Sequence, residues 1–107
     1  MYFFVHSEAP GSPSITTTAD DIQATSLKVK WTAPADDGGS PITAYRVVIL
    51  QGGKVIKNEN VANPFVKEKF IRDLEKNTNY TVKVFARNYK FEGDVGQKII
   101  KTKYEGK

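Results

Sequence analysis

Hydrophobic and polar residues alternate with a period of two along much of this sequence. In "SLKVKW", Leu27, Val29 and Trp31 fall on one face of an extended chain, and the lysines between them fall on the other. The segment "YTVKVFA", residues 80–86, alternates in the same way. Such alternation, rich in β-branched and aromatic residues, is typical of antiparallel strands that bury one face. No stretch has the spacing of an amphipathic helix, so the pattern predicts an all-β protein.

Turn-forming segments divide the chain at short intervals. "ITAYRVVIL" and "KIIKTK" also have the character of strands, and the turns are "APGSP", "ADDGGSP", "QGG", "ANP", "EKNTN" and "FEGDVG". Six or seven short strands at such intervals predict a β-sandwich or a small barrel. The segment "FVKEKFIRDL" has no clean apolar face. It predicts an edge position, a bulge or a strand that starts later than it looks.

Composition narrows the class of protein. The 107 residues, of which 39% are hydrophobic and 26% charged, fit one soluble globular domain. No apolar run approaches the roughly 18 to 20 residues of a membrane helix. The net charge of +4 comes from scattered lysines, which does not predict a nucleic-acid surface. Cysteine is absent, which excludes disulfides and thiolate chemistry. Residues 1–9 are interpreted as a leader, a linker or an expression remnant, and residues 105–107 as a tail.

Four stretches resemble the fibronectin type III family, over almost the whole chain from about Pro10 to Thr102. "APGSPSI" is similar to the first strand of that family, "SLKVKWTAP" to the second, "SPITAYRV" to the third and "LEKNTNYTVKVFARN" to the sixth. The resemblance implies a seven-stranded antiparallel β-sandwich, immunoglobulin-like, over residues 10–104. It places four large side chains in the core: Trp31, Tyr45, Leu74 and Tyr80.

Two details test this resemblance. Tyr80 starts a strand shortly after Leu74, which fits a tyrosine corner, where the ring is buried and the hydroxyl bonds upstream backbone. The segment "NYKFEGDVGQK", which the resemblance places in a loop, lacks the family's usual Gly-Pro-x-Ser ending. Its "EGDVG" has glutamate where an Arg-Gly-Asp motif needs arginine, so integrin binding through that motif is not supported.

Residues suited to catalysis or metal binding do not converge. The one histidine, His6, lies in the leader, so a Ser-His-Asp triad has no base. In the implied sandwich, Asp36 and Asp37 share one end with Glu92 and Asp94, where four carboxylates could meet calcium, which takes roughly six to eight oxygens. Yet "DDGGS" lacks the ligand spacing of a calcium loop and is interpreted as a turn. We therefore predict no enzyme activity, no metal and no cofactor.

Two faces of the implied sandwich are candidates for binding. Val48, Leu50 and Phe85 point away from the core on neighbouring strands, which predicts an exposed apolar patch for protein contact. The alternative is that long neighbouring side chains or the leader "YFFV" cover them. On the other sheet, an outward lysine face would attract sulfated glycans or another polyanion, unless it only solubilises the sheet. The lysines of this face are Lys28, Lys30, Lys67 and Lys69.

The resemblance also implies a role. The chain is expected to be a non-catalytic module that spaces its neighbours and offers loops and sheet faces to other protein domains, as a monomer in isolation. The favoured setting is an extracellular or cell-surface adhesion protein or receptor. The stretch "PADDGGSPITAY" is also similar to the modules of giant muscle proteins, an intracellular setting, and to accessory modules of secreted microbial enzymes. Asn79 opens the glycosylation sequon "NYT", which matters if the chain is secreted.

Overall fold

Within the described part of the chain, seven antiparallel strands form two sheets that pack face to face. The computed structural model describes residues 7–105, so the predictions for residues 1–6, His6 among them, and for residues 106–107 lie outside the described part. The strands are β1 (Ser14–Ile15), β2 (Leu27–Thr32), β3 (Ala44–Gln51), β4 (Lys54–Val61), β5 (Glu68–Ile71), β6 (Asn79–Arg87) and β7 (Glu92–Lys101). One sheet has the order β1-β2-β5 and the other the order β4-β3-β6-β7. The predicted all-β, seven-stranded antiparallel sandwich is confirmed.

Helical structure within residues 7–105 is limited to one short 3-10 turn, Ala19–Asp21. None of the described residues belongs to a helix with the length and apolar character that crossing a membrane requires.

The alternating strands β2 and β6 bury the faces that their sequences predict. Burial alternates residue by residue along both strands, because successive side chains of a pleated strand point to opposite sides. The buried residues of the two sheets form one apolar cluster between them. Its members are Leu27, Val29, Trp31, Tyr45, Val47, Ile49, Val61, Ile71, Leu74, Tyr80, Val82, Val84, Ala86 and Ile100.

Aromatic side chains link the sheets at the centre of this cluster. The rings of Trp31 and Tyr45 lie 5.3 Å apart at an interplanar angle of 57°, a tilted arrangement that aromatic pairs favour. The hydroxyl of Tyr80 accepts a hydrogen bond of 2.7 Å from the backbone N–H of Glu75, which is the predicted tyrosine corner. The buried indole Nε1 of Trp31 has no hydrogen-bond partner among the described residues.

The ambiguous segment 65–72 forms a short edge strand. Strand β5 starts at Glu68 and pairs only with β2, so two of the predicted outcomes, an edge position and a late start, are found together. Lys69 lies opposite the buried Val29 and therefore points to the inner side of its sheet. Inward charges of this kind on an edge strand oppose pairing with another chain.

Strand β7 is longer than the sequence predicts. The interpretation of residues 88–98 as a loop is wrong from Glu92 onward, since β7 starts there and pairs with β6. Gly96 allows the chain before β1 to pass close to this strand, because a Cβ at Gly96 would overlap the backbone oxygen of Pro13. The N–H of Asp94 also donates to the carbonyl of Pro10 at 3.0 Å. The segment before β1 thus lies along the edge of the four-stranded sheet.

The loop between β2 and β3 crosses from one sheet to the other. Within it, the Asp36 side chain accepts a hydrogen bond of 2.8 Å from the N–H of Gly38, and that of Asp37 accepts one of 2.9 Å from Gly39. Gly38 has a φ of 81°, a left-handed conformation that favours glycine. The interpretation of this acidic stretch as a turn is confirmed.

Candidate functional site

The exposed side of the four-stranded sheet is the candidate site, and strand register defines its residues. Residues that are Cα partners across neighbouring strands point to the same side, so the partners of outward-pointing residues point outward too. We call these residues the outer face. It comprises Ala44, Arg46, Val48, Leu50, Val55, Asn58, Asn60, Asn79, Thr81, Lys83, Phe85, Arg87, Glu92, Val95, Gln97, Ile99 and Lys101.

The three residues of the predicted apolar patch all lie on the outer face, but they are not equally exposed to solvent. Val48 is only 5% exposed, so the prediction that it is exposed is wrong. Leu50 and Phe85 are half-buried. The guanidinium of Arg46 lies 4.5 Å from the centre of the Phe85 ring. At Phe85, the predicted alternative is therefore found, in which a long neighbouring side chain covers the apolar one.

The more exposed apolar residues of this face belong to the two outer strands. Ile99 is 67% exposed, Val55 52% and Val95 38%. The sequence does not single out Val55, because residues 54–61 carry many polar residues, or Val95, because it lies in the segment interpreted as a loop. Ile99 lies in the predicted strand "KIIKTK", where two adjacent isoleucines leave open which of them points outward. A usable signal is present in their spacing, since Val95 and Ile99 are four residues apart and therefore lie on the same side of an extended strand, with Gln97 between them.

A bidentate ion pair closes one corner of the outer face. Arg46 donates from Nε to Oε1 of Glu92 at 2.7 Å and from Nη2 to Oε2 at 2.8 Å, and its Nη1 donates to Asn58 Oδ1 at 3.3 Å. The hydrogen bond from Arg46 lowers the pKa of Glu92 below its usual value. The same contact raises the pKa of Arg46. Both groups are therefore charged at neutral pH and neutralise each other.

Positive charge is in excess on the outer face. Its cationic residues are Arg46, Lys83, Arg87 and Lys101, whereas Glu92 is its one acidic residue. Glu92 is already paired with Arg46. Lys83 and Lys101 therefore have no acidic partner on the strands of this sheet. A ligand of this face would therefore meet uncompensated positive charge next to exposed aliphatic side chains.

The four lysines of the predicted polyanion face do not share one face. Lys28 and Lys30 do point outward, but their Cα partners on β5 are Phe70 and Glu68. Lys69 has the opposite orientation and its Nζ lies 3.8 Å from Glu59, on the other sheet. Lys67 precedes the strand.

The two outward lysines also have acidic neighbours. The Nζ of Lys28 lies 4.0 Å from Glu68, and that of Lys30 lies 3.3 Å from Asp21. The predicted cluster is wrong, because the register turns Lys69 inward and carboxylates lie beside Lys28 and Lys30.

Asn79 is the first residue of β6 and is exposed, opposite Lys101 at the border of the outer face. Its side chain is open to solvent in the folded domain, as a glycan acceptor must be. A glycan on Asn79 would stand beside the row that contains Thr81 and Ile99.

The acidic residues of the β2–β3 loop and of β7 are engaged separately. Asp36 and Asp37 cap the N–H groups of their own turn, while Glu92 binds Arg46. Within residues 7–105, no three histidine, aspartate or glutamate side chains gather around a point where a metal ion would fit. The same part of the chain forms no surface pocket that could enclose a small substrate.

The buried side-chain amide of Asn88 joins several segments at one end of the sandwich. We call this end, where the segment before β1 reaches the domain, the proximal end. Asn88 is 2% exposed. Its Nδ2 donates to the carbonyls of Glu8 at 2.8 Å and Asp37 at 3.1 Å, and its Oδ1 accepts from the N–H groups of Lys90 and Phe91. Three separate segments are thereby joined. Glu8, which the sequence assigns to the leader, is bonded to the domain.

Comparisons with known proteins agree on one family. A family model described as fibronectin type III domain matches residues 11–102. The Fibronectin type-III domain-containing protein 3a of Gallus gallus is 30% identical over 79 residues, which are 74% of this chain and 7% of that protein. The Titin homolog of Caenorhabditis elegans is 36% identical over 81 residues, which are 75% of this chain. The same 81 residues make up a share of the Titin homolog that rounds to 0%. The chain therefore spans only a small fraction of the length of both relatives.

A solved structure supports the same fold. The extracellular region of rat CD45, domains d3-d4, superposes with a TM-score of 0.75 at 23% sequence identity. The match covers 90% of this chain and 51% of that chain.

Proposed function

The chain belongs to the fibronectin type III domain family, and we propose that it acts as a non-catalytic module of a longer protein. In this proposal it holds neighbouring segments at a fixed spacing and offers its outer face to other proteins. The observation that carries the proposal is the fixation of the chain by hydrogen bonds at both ends of the sandwich.

At the proximal end, the incoming chain is bonded to two loops. The N–H of Glu8 donates to the carbonyl of Gly38 at 2.7 Å, and the N–H of Gly11 donates to that of Asp36 at 2.8 Å. The amide of Asn88 binds the carbonyl of Glu8 from the other side. A segment held on two sides leaves the domain in one direction, which is what a spacer needs.

At the opposite end, the outgoing chain is fixed in the same manner. Thr102 is 2% exposed, and its Oγ1 donates to the carbonyl of Glu75 at 2.6 Å. The N–H of Lys103 donates to the carbonyl of Gln23, and the carbonyl of Lys103 accepts from the N–H of Asn77, both at 3.0 Å. The last strand therefore continues as a bonded segment beyond its final sheet residue.

Single-molecule energy transfer tests this spacing role. The chain has no cysteine, so cysteines placed at the exposed positions Ala9 and Glu105 take the two dyes without side reactions. We expect one narrow distance distribution, far narrower than that of a Gly/Ser chain of equal length. Asn88→Asp, which turns the donor amide into a carboxylate facing two carbonyls, should broaden it, whereas the exposed Asn60→Asp should not. Equally broad distributions in all three proteins would refute the spacer role.

The module has two candidate settings. Similarity to the Titin homolog supports an intracellular structural protein. The exposed acceptor Asn79 supports an extracellular or cell-surface protein with an adhesive or receptor role. We propose the intracellular setting first, because the identity to the Titin homolog is measured over 75% of the chain, whereas three-residue sequons also occur by chance.

An antibody raised against the folded chain separates the two settings. In cells that make the parent protein, staining only after permeabilisation is the expected result. Staining of intact cells, removed by external protease, would instead place the module at the cell surface.

A further inference from the structure

We propose that the outer face binds a protein segment that is both apolar and acidic. This inference rests on the proposed role as a protein-interaction module and adds the chemistry of the partner. Two features carry it: a row of residues across the four strands with an exposed aliphatic residue at each end, and an uncompensated positive charge in the row beside it.

The aliphatic row follows directly from the strand register. Ile99 pairs with Thr81, Thr81 with Leu50, and Leu50 with Val55. Ile99 and Val55, at the two ends of the row, are 67% and 52% exposed. With strands about 4.8 Å apart, four positions span about 14 Å. That length fits one side of a short extended or helical segment lying across the strands.

The next row supplies the charge. Gln97 pairs with Lys83, Lys83 with Val48, and Val48 with Asn58. Lys83 is half-buried, and no carboxylate of the described residues forms a salt bridge with it, the ion pairs of this sheet being Arg46–Glu92 and Glu59–Lys69. A partner carboxylate at Lys83 would be flanked by apolar side chains that exclude water. Its attraction to the ammonium would then exceed that of an exposed surface pair.

The row on the other side of Lys83 from the Ile99 row also contains apolar side chains. Val95 pairs with Phe85, and Phe85 with Arg46, whose charge is already taken by Glu92. Lys83 is thus the central free charge of the face, with aliphatic or aromatic surface on both sides. This arrangement favours a ligand whose acidic residue lies between apolar ones.

Two other occupants fit the face less well. A sulfated glycan would satisfy Lys83, Arg87 and Lys101 but would leave the exposed surfaces of Ile99 and Val55 without an apolar contact. A second copy of the chain would bring the same cationic face against itself, so its lysines would repel each other. The acidic, apolar protein segment alone complements both features.

The proposal is tested by selecting a random library of short displayed peptides against the immobilised 107-residue chain. We expect the enriched peptides to carry aspartate or glutamate between aliphatic or aromatic residues. Synthetic versions should shift the amide resonances of Lys83 and Ile99 in the ¹⁵N-labelled chain. Failure to enrich any peptide, or enrichment of basic peptides, would overturn the proposal.

Variants of the face then identify the contacts. Ile99→Thr and Val55→Thr should each weaken peptide binding about tenfold. Phe70→Thr makes a comparable change to an exposed residue of the other sheet and should leave binding unchanged. Lys83→Glu should abolish binding of the selected peptide, and a peptide with its acidic residue replaced by lysine should bind the Lys83→Glu protein. Peptide binding that tolerates all the outer-face substitutions would refute this site.

A heparin-derived oligosaccharide serves as the competing probe. We expect it to leave the Ile99 and Val55 resonances unshifted and not to displace the peptide. Displacement of the peptide, together with loss of both interactions at high salt, would assign the face to polyanions instead. These measurements are independent of the distance distribution between the chain ends, so failure of the acidic-partner proposal and failure of the spacer role are distinguishable.

Discussion

The side chain of Asn88 donates a 2.8 Å hydrogen bond to the backbone carbonyl of Glu8, a residue 80 positions earlier in the chain. The two residues join the turn after β6 to the segment before β1. The carbonyl of Asp37 accepts from the same amide nitrogen at 3.1 Å, so one side chain closes the proximal end.

Asn88→Asp is predicted to open this end without unfolding the sandwich. The substitution keeps the acceptor oxygen but places a carboxylate against the carbonyls of Glu8 and Asp37, which lose their donor. We expect a loss of about 1–3 kcal/mol in the free energy of unfolding. Hydrogen exchange should accelerate at the N–H of Glu8, and not in β6. Unchanged exchange at Glu8 would show that Asn88 does not hold the segment.

Tyr80→Phe is predicted to remove the tyrosine corner at little cost in packing. The ring stays buried, but the N–H of Glu75 loses its acceptor at 2.7 Å. We expect about 1 kcal/mol less stability in urea unfolding. Tyr89→Phe is the matched control, because the side chain of Tyr89 is 72% exposed and should change stability little. Equal effects of the two substitutions would contradict a structural role for the Tyr80 hydroxyl.

Trp31 should respond very differently to two substitutions. Trp31→Ala removes a ring that is 3% exposed and packs on Tyr45, so we expect a loss of about 3–5 kcal/mol. That is a large part of the roughly 5–15 kcal/mol that stabilises a domain. Trp31→Phe keeps an aromatic ring and removes an N–H that has no partner, so its cost should be clearly smaller. Urea denaturation measures both, and equal losses would disprove the packing argument.

Stability should fall in acid through the Arg46–Glu92 pair. The pKa of Glu92 is lowered in the folded state, mainly by the hydrogen bond from Arg46. The pair therefore stabilises the fold above the unfolded-state pKa, and this contribution is lost as the pH falls through the folded-state value. Between about pH 7 and pH 3, the urea midpoint of the wild type should drop further than that of Glu92→Gln. Arg46→Met should show the same reduced drop, and an unchanged drop in both variants would exclude this linkage.

A second carboxylate adds to the same trend. The pKa of Asp21 is lowered first by the backbone N–H of Thr18 and also by Lys30. Asp21→Asn should further reduce the acid sensitivity of the Glu92→Gln protein, because the sign of the linkage is the same. A double variant with the pH dependence of Glu92→Gln alone would rule Asp21 out.

Asn79 is predicted to accept a glycan when the chain is directed through a eukaryotic secretory pathway. Its side chain is exposed and the sequon continues to Thr81. The secreted protein should lose mass on treatment with an N-glycosidase, whereas Asn79→Gln should be secreted without that mass. The glycosylated form should also bind the selected acidic peptides more weakly than the deglycosylated one, since the glycan stands beside the Ile99 row. A secreted wild type without glycan would exclude Asn79 as an acceptor.

The sequence alone determined which residues of β2 and β6 face the core. In β2 and β6 the period-two pattern predicts the buried faces of both strands, including Trp31 and Tyr80. The reason is local, because the pleat of a strand sends successive side chains to opposite sides whatever its partner is. The resemblance to the fibronectin type III family added the crossing between sheets, which the loop after Trp31 would not specify by itself.

Only the tertiary structure decided which surface residues stand together. The pairing of Val29 with Lys69 turned a predicted outward lysine inward, and the pairing of β6 with β7 brought Ile99 beside Thr81. Alternation fixes relative orientation within one strand, whereas neighbours across strands depend on register, which long-range contacts set. The buried faces of β2 and β6 could therefore be predicted from the sequence, while the outer face and the closure of the proximal end by Asn88 required the assembled sheets.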